Sequence, residues 1–219
     1  MLFSNLLLIL GLGKPAYGSV APPPIPTTCP IGKICPWGWG EIYTIYENQP
    51  NLIVQRQYND GIYFEASQKV DRCRDKDKSS KPYDRVYTLM HLQFSGLGTQ
   101  GCSLDFNIPC NSTIPFYPWN HPVVAARALT AFPGNSPTWN NIQPLISSPI
   151  LGTFHEPFKR DTFEEVASEV CRGGLNGGFN ELAFVWSIDE SVKESSGLKF
   201  NITLMNSDIV VGPYVNFTC

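Results

Sequence analysis

A chain of 219 residues can bury one substantial core, and an all-β domain of this length need not be divided. Aromatic residues at 12% and charged residues at only 16% suit an exported, β-rich protein better than a helical cytosolic one. The net charge is −3 and no run of lysine and arginine occurs, so the sequence offers no footprint for nucleic acid.

The chain opens on an apolar run, Leu2 to Gly13, of signal-peptide length and too short to cross a bilayer comfortably. Small residues Ala16 and Gly18 flank Tyr17, so cleavage is expected after Gly18, with residues 1–18 removed as a signal peptide. Lys14 follows the apolar run instead of preceding it. No second long apolar segment follows, and the mature protein is expected to be secreted, with no membrane partner. Residues 19–40 form a Pro- and Cys-rich leader. Pro22-Pro23-Pro24-Ile25-Pro26 is stiff and extended. Proline and glycine between Cys29 and Cys35 indicate a tight loop, closed locally or pinned to the body. Trp37 and Trp39, one residue apart, are flat rings that either stack on a sugar or cover the edge of the core.

The domain proper is expected over residues 41–219. Glu41–Glu47, Asn51–Gln57 and Gly61–Ala66 have strand composition, with turn residues Asn48-Gln49-Pro50 and Asn59-Asp60-Gly61 between them. Asp71–Lys78 mixes its charges; Lys76 and Lys78 oppose a cation at Asp75 and Asp77, so a solvated loop is expected. A soft module boundary falls near Ser79–Pro82. From Arg85, Val86, Thr88, Met90, Leu92 and Phe94 alternate with Tyr87, Leu89, His91 and Gln93, a strand covered on both faces. Cys102, Leu104, Phe106 and Ile108 point one way and Ser103, Asp105 and Asn107 the other, giving one buried and one wet face until Pro109 ends the strand. Further strands are expected at Val123–Phe132, Ile150–His155, Glu181–Ile188, Leu198–Met205 and Ile209–Phe217. Phe163–Val170 fits a strand or a single amphipathic helix, with strand preferred. A long loop is expected from Pro137, and another over Cys171–Gly178. Many short strands at this spacing predict an all-β fold, an antiparallel two-sheet sandwich, jelly-roll-like, behind the Pro-rich N-terminal leader.

Seven cysteines follow the signal: Cys29, Cys35, Cys73, Cys102, Cys110, Cys171 and Cys219. In an oxidising compartment three bridges and one spare thiol are the simplest arrangement, with the pairing left open. No Cys-x-x-Cys pair occurs and no histidine lies at ligand spacing from a cysteine pair, so neither a metal nor another cofactor is expected. Sequons for glycosylation begin at Asn111, Asn201 and Asn216. Leu198, Phe200, Ile202 and Leu204 share one face, which turns Asn201 to solvent.

From Val86 onward the order of features resembles a fungal secreted family named for the ubiquitin 3 binding protein C-terminal domain, the But type. The residues that carry the resemblance are Leu92–Phe94, Gly101–Pro109, Trp139-Asn140-Asn141, Leu151–Phe154, Cys171-Arg172-Gly173-Gly174 and Glu181–Phe184. Such proteins usually carry proline after the mid-domain cysteine, where Arg172 stands here. The resemblance covers residues 86–219 and implies a β-sandwich exported by ascomycete-like fungi, without an established enzymatic activity and without catalytic residues to transfer.

The residues themselves offer little catalytic chemistry. His91, His121 and His155 are the only histidines, and no Gly-x-Ser-x-Gly elbow accompanies them. His91 lies mid-strand, as a packed or edge residue would; His155 follows a strand end, where it could act as a base. Glu164-Glu165 and Asp189-Glu190 are acidic doublets, but neighbours on a strand face opposite sides, so neither doublet is a catalytic pair in itself. The expectation is a secreted, non-catalytic glycoprotein of the fungal cell wall or surface. It would bind cell-wall polysaccharide or an extracellular protein through aromatics among Trp37, Trp39, Trp119 and Trp139. Alternatives are a secreted hydrolase with paired carboxylates and a structural disulfide-linked dimer.

Overall fold

Period-two alternation is translated into strands through most of the described residues. The computed structural model describes residues 34–37, 40–55, 57, 62–70, 82–95, 102–108, 117–155, 162–168, 170, 179–205 and 209–218. In chain order the strands are β1 (Ile34–Trp37), β2 (Gly40–Tyr46), β3 (Tyr63–Lys69), β4 (Tyr83–Ser95), β5 (Cys102–Ile108), β6 (Tyr117–Trp119) and β7 (Val123–Ala128). They continue as β8 (Gly152–His155), β9 (Thr162–Ala167), β10 (Phe179–Ile188), β11 (Ser196–Asn201), β12 (Thr203–Met205) and β13 (Ile209–Thr218). Among the described residues helix is limited to α1 (Trp139–Ile142) and the 3-10 turn Gln143–Leu145.

Two antiparallel sheets result. The smaller runs β1-β13-β5-β9, with β12 against the first residues of β13. The larger runs β6-β11-β3-β4-β10-β7-β8, with β2 also on β4. β4 is the branch point. Val86 lies between Tyr46 of β2 and Ser67 of β3, whereas Thr88 lies between Thr44 of β2 and Trp186 of β10. β2 therefore holds one edge of β4, and β3 and β10 divide the other. Buried Thr88 sits where they part. Its hydroxyl accepts from the Glu65 N–H at 2.8 Å and donates to the Glu65 carbonyl at 2.9 Å. It thus satisfies backbone groups of β3 that have left the β4 ladder. The larger sheet curls into a half-barrel.

The concave side holds the main core. Phe64 of β3, Phe154 of β8, Trp186 of β10 and Phe200 of β11 surround Phe106 of β5, which belongs to the smaller sheet. The Phe106 ring centre is 4.1 Å from Phe154, 5.6 Å from Phe200, 5.8 Å from Phe64 and 6.1 Å from Trp186. Edge-on contacts dominate, as ring quadrupoles prefer. At the rim β8 approaches β9 so closely that a Cβ on Gly152 would fall 1.7 Å from the Val166 carbonyl oxygen. The other face of β2, β4 and β10 is also covered. There Tyr43, Tyr87, Leu89 and Val185 pack on Leu129, Trp139 and Ile142. This is why β4 is apolar at odd and even positions alike.

Several sequence expectations are corrected. Residues 51–55 are not a strand: only Val54 is buried, its N–H bonded to the Pro137 carbonyl, while Leu52 and Ile53 are exposed. Apolar composition there serves one anchor point instead of a ladder. Ile34–Trp37, expected in a looped leader, pairs with β13 from Thr218 to Val215. The loop from Pro137 contains α1, whose N-cap Thr138 and N3 residue Asn141 form a reciprocal capping box. Leu198–Met205 is two strands in different sheets, broken where the Ile202 N–H turns to the Ile62 carbonyl. Phe163–Val170, ambiguous in sequence, is strand over Thr162–Ala167.

Candidate functional site

Alternation fixes what the outer face of β11 and β3 presents. Leu198 and Phe200, Phe64 and Ala66 are buried, so Lys199, Asn201, Tyr63 and Glu65 face outward. Register then sets Lys199 opposite Glu65 and Asn201 opposite Tyr63. Lys199 Nζ donates to Glu65 Oε2 at 2.8 Å and lies 4.5 Å from the centre of the Tyr63 ring. The bond to Glu65 holds the Lys199 ammonium above its ordinary value, against the effect of burial. Burial, and next a hydrogen bond with Tyr63, push the Tyr46 phenol up to about 12.

Trp119 borders this face on the edge strand β6. It stands opposite Gly197, and its indole lies over that glycine so closely that a Cβ there would fall 2.1 Å from Trp119 Cζ2. The ring remains 39% exposed. Just beyond it, Asn120 and His121 adopt positive φ values of 55° and 44°, a left-handed pair of non-glycine residues. Asn120 Nδ2 donates to the Ser195 carbonyl at 2.6 Å, and Ser196 Oγ donates to the carbonyls of Trp119 at 3.3 Å and Asn120 at 3.1 Å. These bonds hold the turn, and with it the indole. A supported flat ring bordered by an ammonium, a carboxylate and phenols can stack on the C–H face of a pyranose and bond its hydroxyls.

A second polar cluster centres on a buried histidine. His91 is 4% exposed, with Nδ1 3.1 Å from Glu41 Oε2 and Nε2 2.8 Å from Glu181 Oε1. Its ring stacks on Phe132 at 3.7 Å, and the Tyr43 hydroxyl donates to the same Glu41 oxygen at 3.1 Å. Carboxylates only accept, so a ring nitrogen that carries a proton donates to the glutamate it faces. With both nitrogens engaged and one face under Phe132, His91 clasps β2, β4 and β10 together.

The remaining candidates fall as follows. Trp139 is a core residue and not an open platform, because its ring stacks on Tyr87 at 4.4 Å and is 8% exposed. Asp189 accepts from the Ser191 N–H at 2.8 Å; despite burial, bonds from Ser191 hold its carboxyl below the ordinary value. Glu190 pairs with Arg127 at 3.0 Å, so that doublet serves a surface turn. Glu165 is exposed on β9 and stands opposite Asp105. His155 is exposed at the end of β8, 3.5 Å from the Thr153 hydroxyl. Cys102 is buried and disulfide-bonded. Asn201 is exposed and Asn216 half-buried. Residues 1–33, Trp39, Cys73, Cys110, Asn111, Cys171 and Cys219 lie outside the described residues, while Cys35 and Trp37 are placed on β1 by their backbone alone. Tyr63, Glu65 and Lys199 were not singled out by sequence. Alternation in Leu198–Asn201 exposes Lys199, but its partners follow only from cross-strand register.

Fold and site together define an all-β protein with an aromatic and charged outer sheet face. No family model matches the chain, and neither curated proteins nor solved structures include a match to it.

Proposed function

We propose that this chain is a secreted, non-catalytic glycoprotein that binds cell-wall polysaccharide through the outer face of β6, β11 and β3. The observation that carries this reading is the Trp119 indole, supported from below by Gly197 and open above, beside Lys199, Glu65 and Tyr63. A ring held in place loses little freedom when a sugar stacks on it, which favours binding. Export rests on the apolar segment Leu2–Gly13 and on the sequons, of which Asn201 stands exposed beside Tyr63. A But-type secreted family, expected from residues 86–219, is part of the same proposal. In this reading the two sheets close as a jelly-roll-like sandwich, supported by the aromatic cluster that both contribute to.

The test is retention of the purified full chain on insoluble chitin, β-glucan and cellulose. Binding to one of them, weakened about tenfold or more by Trp119→Ala, is the expected outcome. A chain that none of the three retains, or that binds equally well without the indole, would refute the proposal.

A further inference from the structure

The outward face of β5, expected from alternation to be wet, is half-buried at Ser103 and Asn107 and dry between them. Asp105 is completely buried, on the side of β5 opposite Leu104 and Phe106. Its neighbours on that face come from three strands. Ser103 of β5 donates its hydroxyl to Asp105 Oδ2 at 3.0 Å. On β9, Glu165 stands opposite Asp105. On β13, Tyr214 stands opposite Asp105, and Asn216 opposite Ser103. No lysine, arginine or histidine faces the carboxylate among the described residues. Two buried atoms here lack a hydrogen-bond partner: Asp105 Oδ1 and Asn216 Oδ1. Both are acceptors, so what is missing between the strands is a donor.

We propose that a proton carried by Asp105 is that donor, and that it latches β5 to the C-terminal strand β13 by a bond from the Asp105 carboxyl to Asn216 Oδ1. One proton then satisfies both orphaned oxygens. Removing it leaves a buried anion near Glu165 with no cation among the described residues to compensate. The electrostatics agree with the geometry: burial raises the Asp105 carboxyl from 3.8 to about 6, Glu165 adds to the rise, and the hydroxyl of Ser103 and the amide of Asn216 only partly offset it. Burial first, and then Asp105, push the phenol of buried Tyr214 upward.

The direction of the pH dependence follows from these values. Below the ordinary aspartate value both folded and unfolded chains hold the proton, and the group contributes no pH dependence. Between that value and about 6 the folded chain keeps a proton that the unfolded chain has released, so stability falls as pH rises. Above about 6 the folded chain must carry the buried charge, and the loss is complete. The latch is therefore closed in mildly acidic surroundings and open at neutral pH. β13 is the strand it acts on, and β13 also holds β1 and β12.

Denaturant unfolding of the full chain from pH 4.5 to 7.5, wild type beside Asp105→Asn, tests this. The amide of the variant supplies a permanent donor to Asn216. Its unfolding equilibrium constant at pH 7.5 should be lower than that of wild type by up to about 100-fold, with the two converging towards pH 4.5. Parallel curves for the two proteins across this range would overturn the proposal. Should the variant fail to fold, the wild type decides alone. With carboxyl-labelled aspartate, one resonance should titrate near pH 6, and a set that all titrates in the ordinary aspartate range would rule the latch out.

Discussion

His91 shows how one side chain can fix the relative placement of three strands. Its nitrogens reach Glu41, 50 positions earlier in the chain, and Glu181, 90 positions later. Burial of the ring makes these bonds costly to lose, whereas the two carboxylates have differing access to water, at 27% and 52% exposure. The asymmetry separates two substitutions. His91→Leu removes the ring from both carboxylates, although Glu41 keeps the Tyr43 hydroxyl, and should destabilise the protein by about 1–3 kcal/mol in denaturant titrations. Glu181→Gln keeps an acceptor at the more exposed end and should cost under about 1 kcal/mol. Equal losses would mean that the contact with Glu181 carries the whole contribution of the ring, and that neither Glu41 nor the packing on Phe132 adds to it. The sequence marks His91 as a packed mid-strand residue, because apolar neighbours flank it on both sides of the alternation. Neither glutamate is visible as its partner, since both are brought in by long-range register. Asp105 fails for a different reason: alternation assigns it a face of the strand, but says nothing about what covers that face.

Elements are legible here to the extent that their neighbours share one sheet. Strands β4, β5, β10 and β13 lie where the alternation places them, because each sequence sustains it over six or more residues. Residues 198–205 carry an unbroken alternation too, yet the chain changes sheets at Ile202. Periodicity has no signature for such a crossing. The segment around α1 was hidden by its loop-like composition, although Thr138 and Asn141 have the spacing of a capping box. That box seats Trp139 and Ile142 against Tyr87 and its neighbours, so Thr138→Ala should cost about 0.5–2 kcal/mol, read as a lowered melting midpoint. A larger penalty is expected at Gly152. The atom a side chain would strike is the Val166 backbone carbonyl, which cannot rotate away, so Gly152→Ala must part β8 from β9. About 1–3 kcal/mol is expected, typical of an overfilled site. A neutral Gly152→Ala would show that the two rims can separate freely.

At the scale of the molecule the question is whether two sheets behave as one folding unit. Alternation indicates how many strands exist and which side chains are apolar; it does not indicate that β3 and β10 share an edge of β4. That branching turns Phe64 and Trp186, on different arms of the larger sheet, toward one another at 6.0 Å and toward Phe106 of the smaller sheet. The core between the sheets then belongs to neither alone, because removing one sheet would expose these rings of the other to water. Phe106→Ala tests the coupling directly. The cavity it leaves borders Phe64, Phe154, Trp186 and Phe200, and the loss should be about 3–5 kcal/mol. If the sheets fold as one, tryptophan fluorescence and far-ultraviolet circular dichroism will give a single coincident transition in wild type, and the variant will shift both signals equally. A variant in which only part of the dichroism moves, while the Trp186 environment persists, would mean that the smaller sheet unfolds by itself and that the shared aromatics join two separable modules.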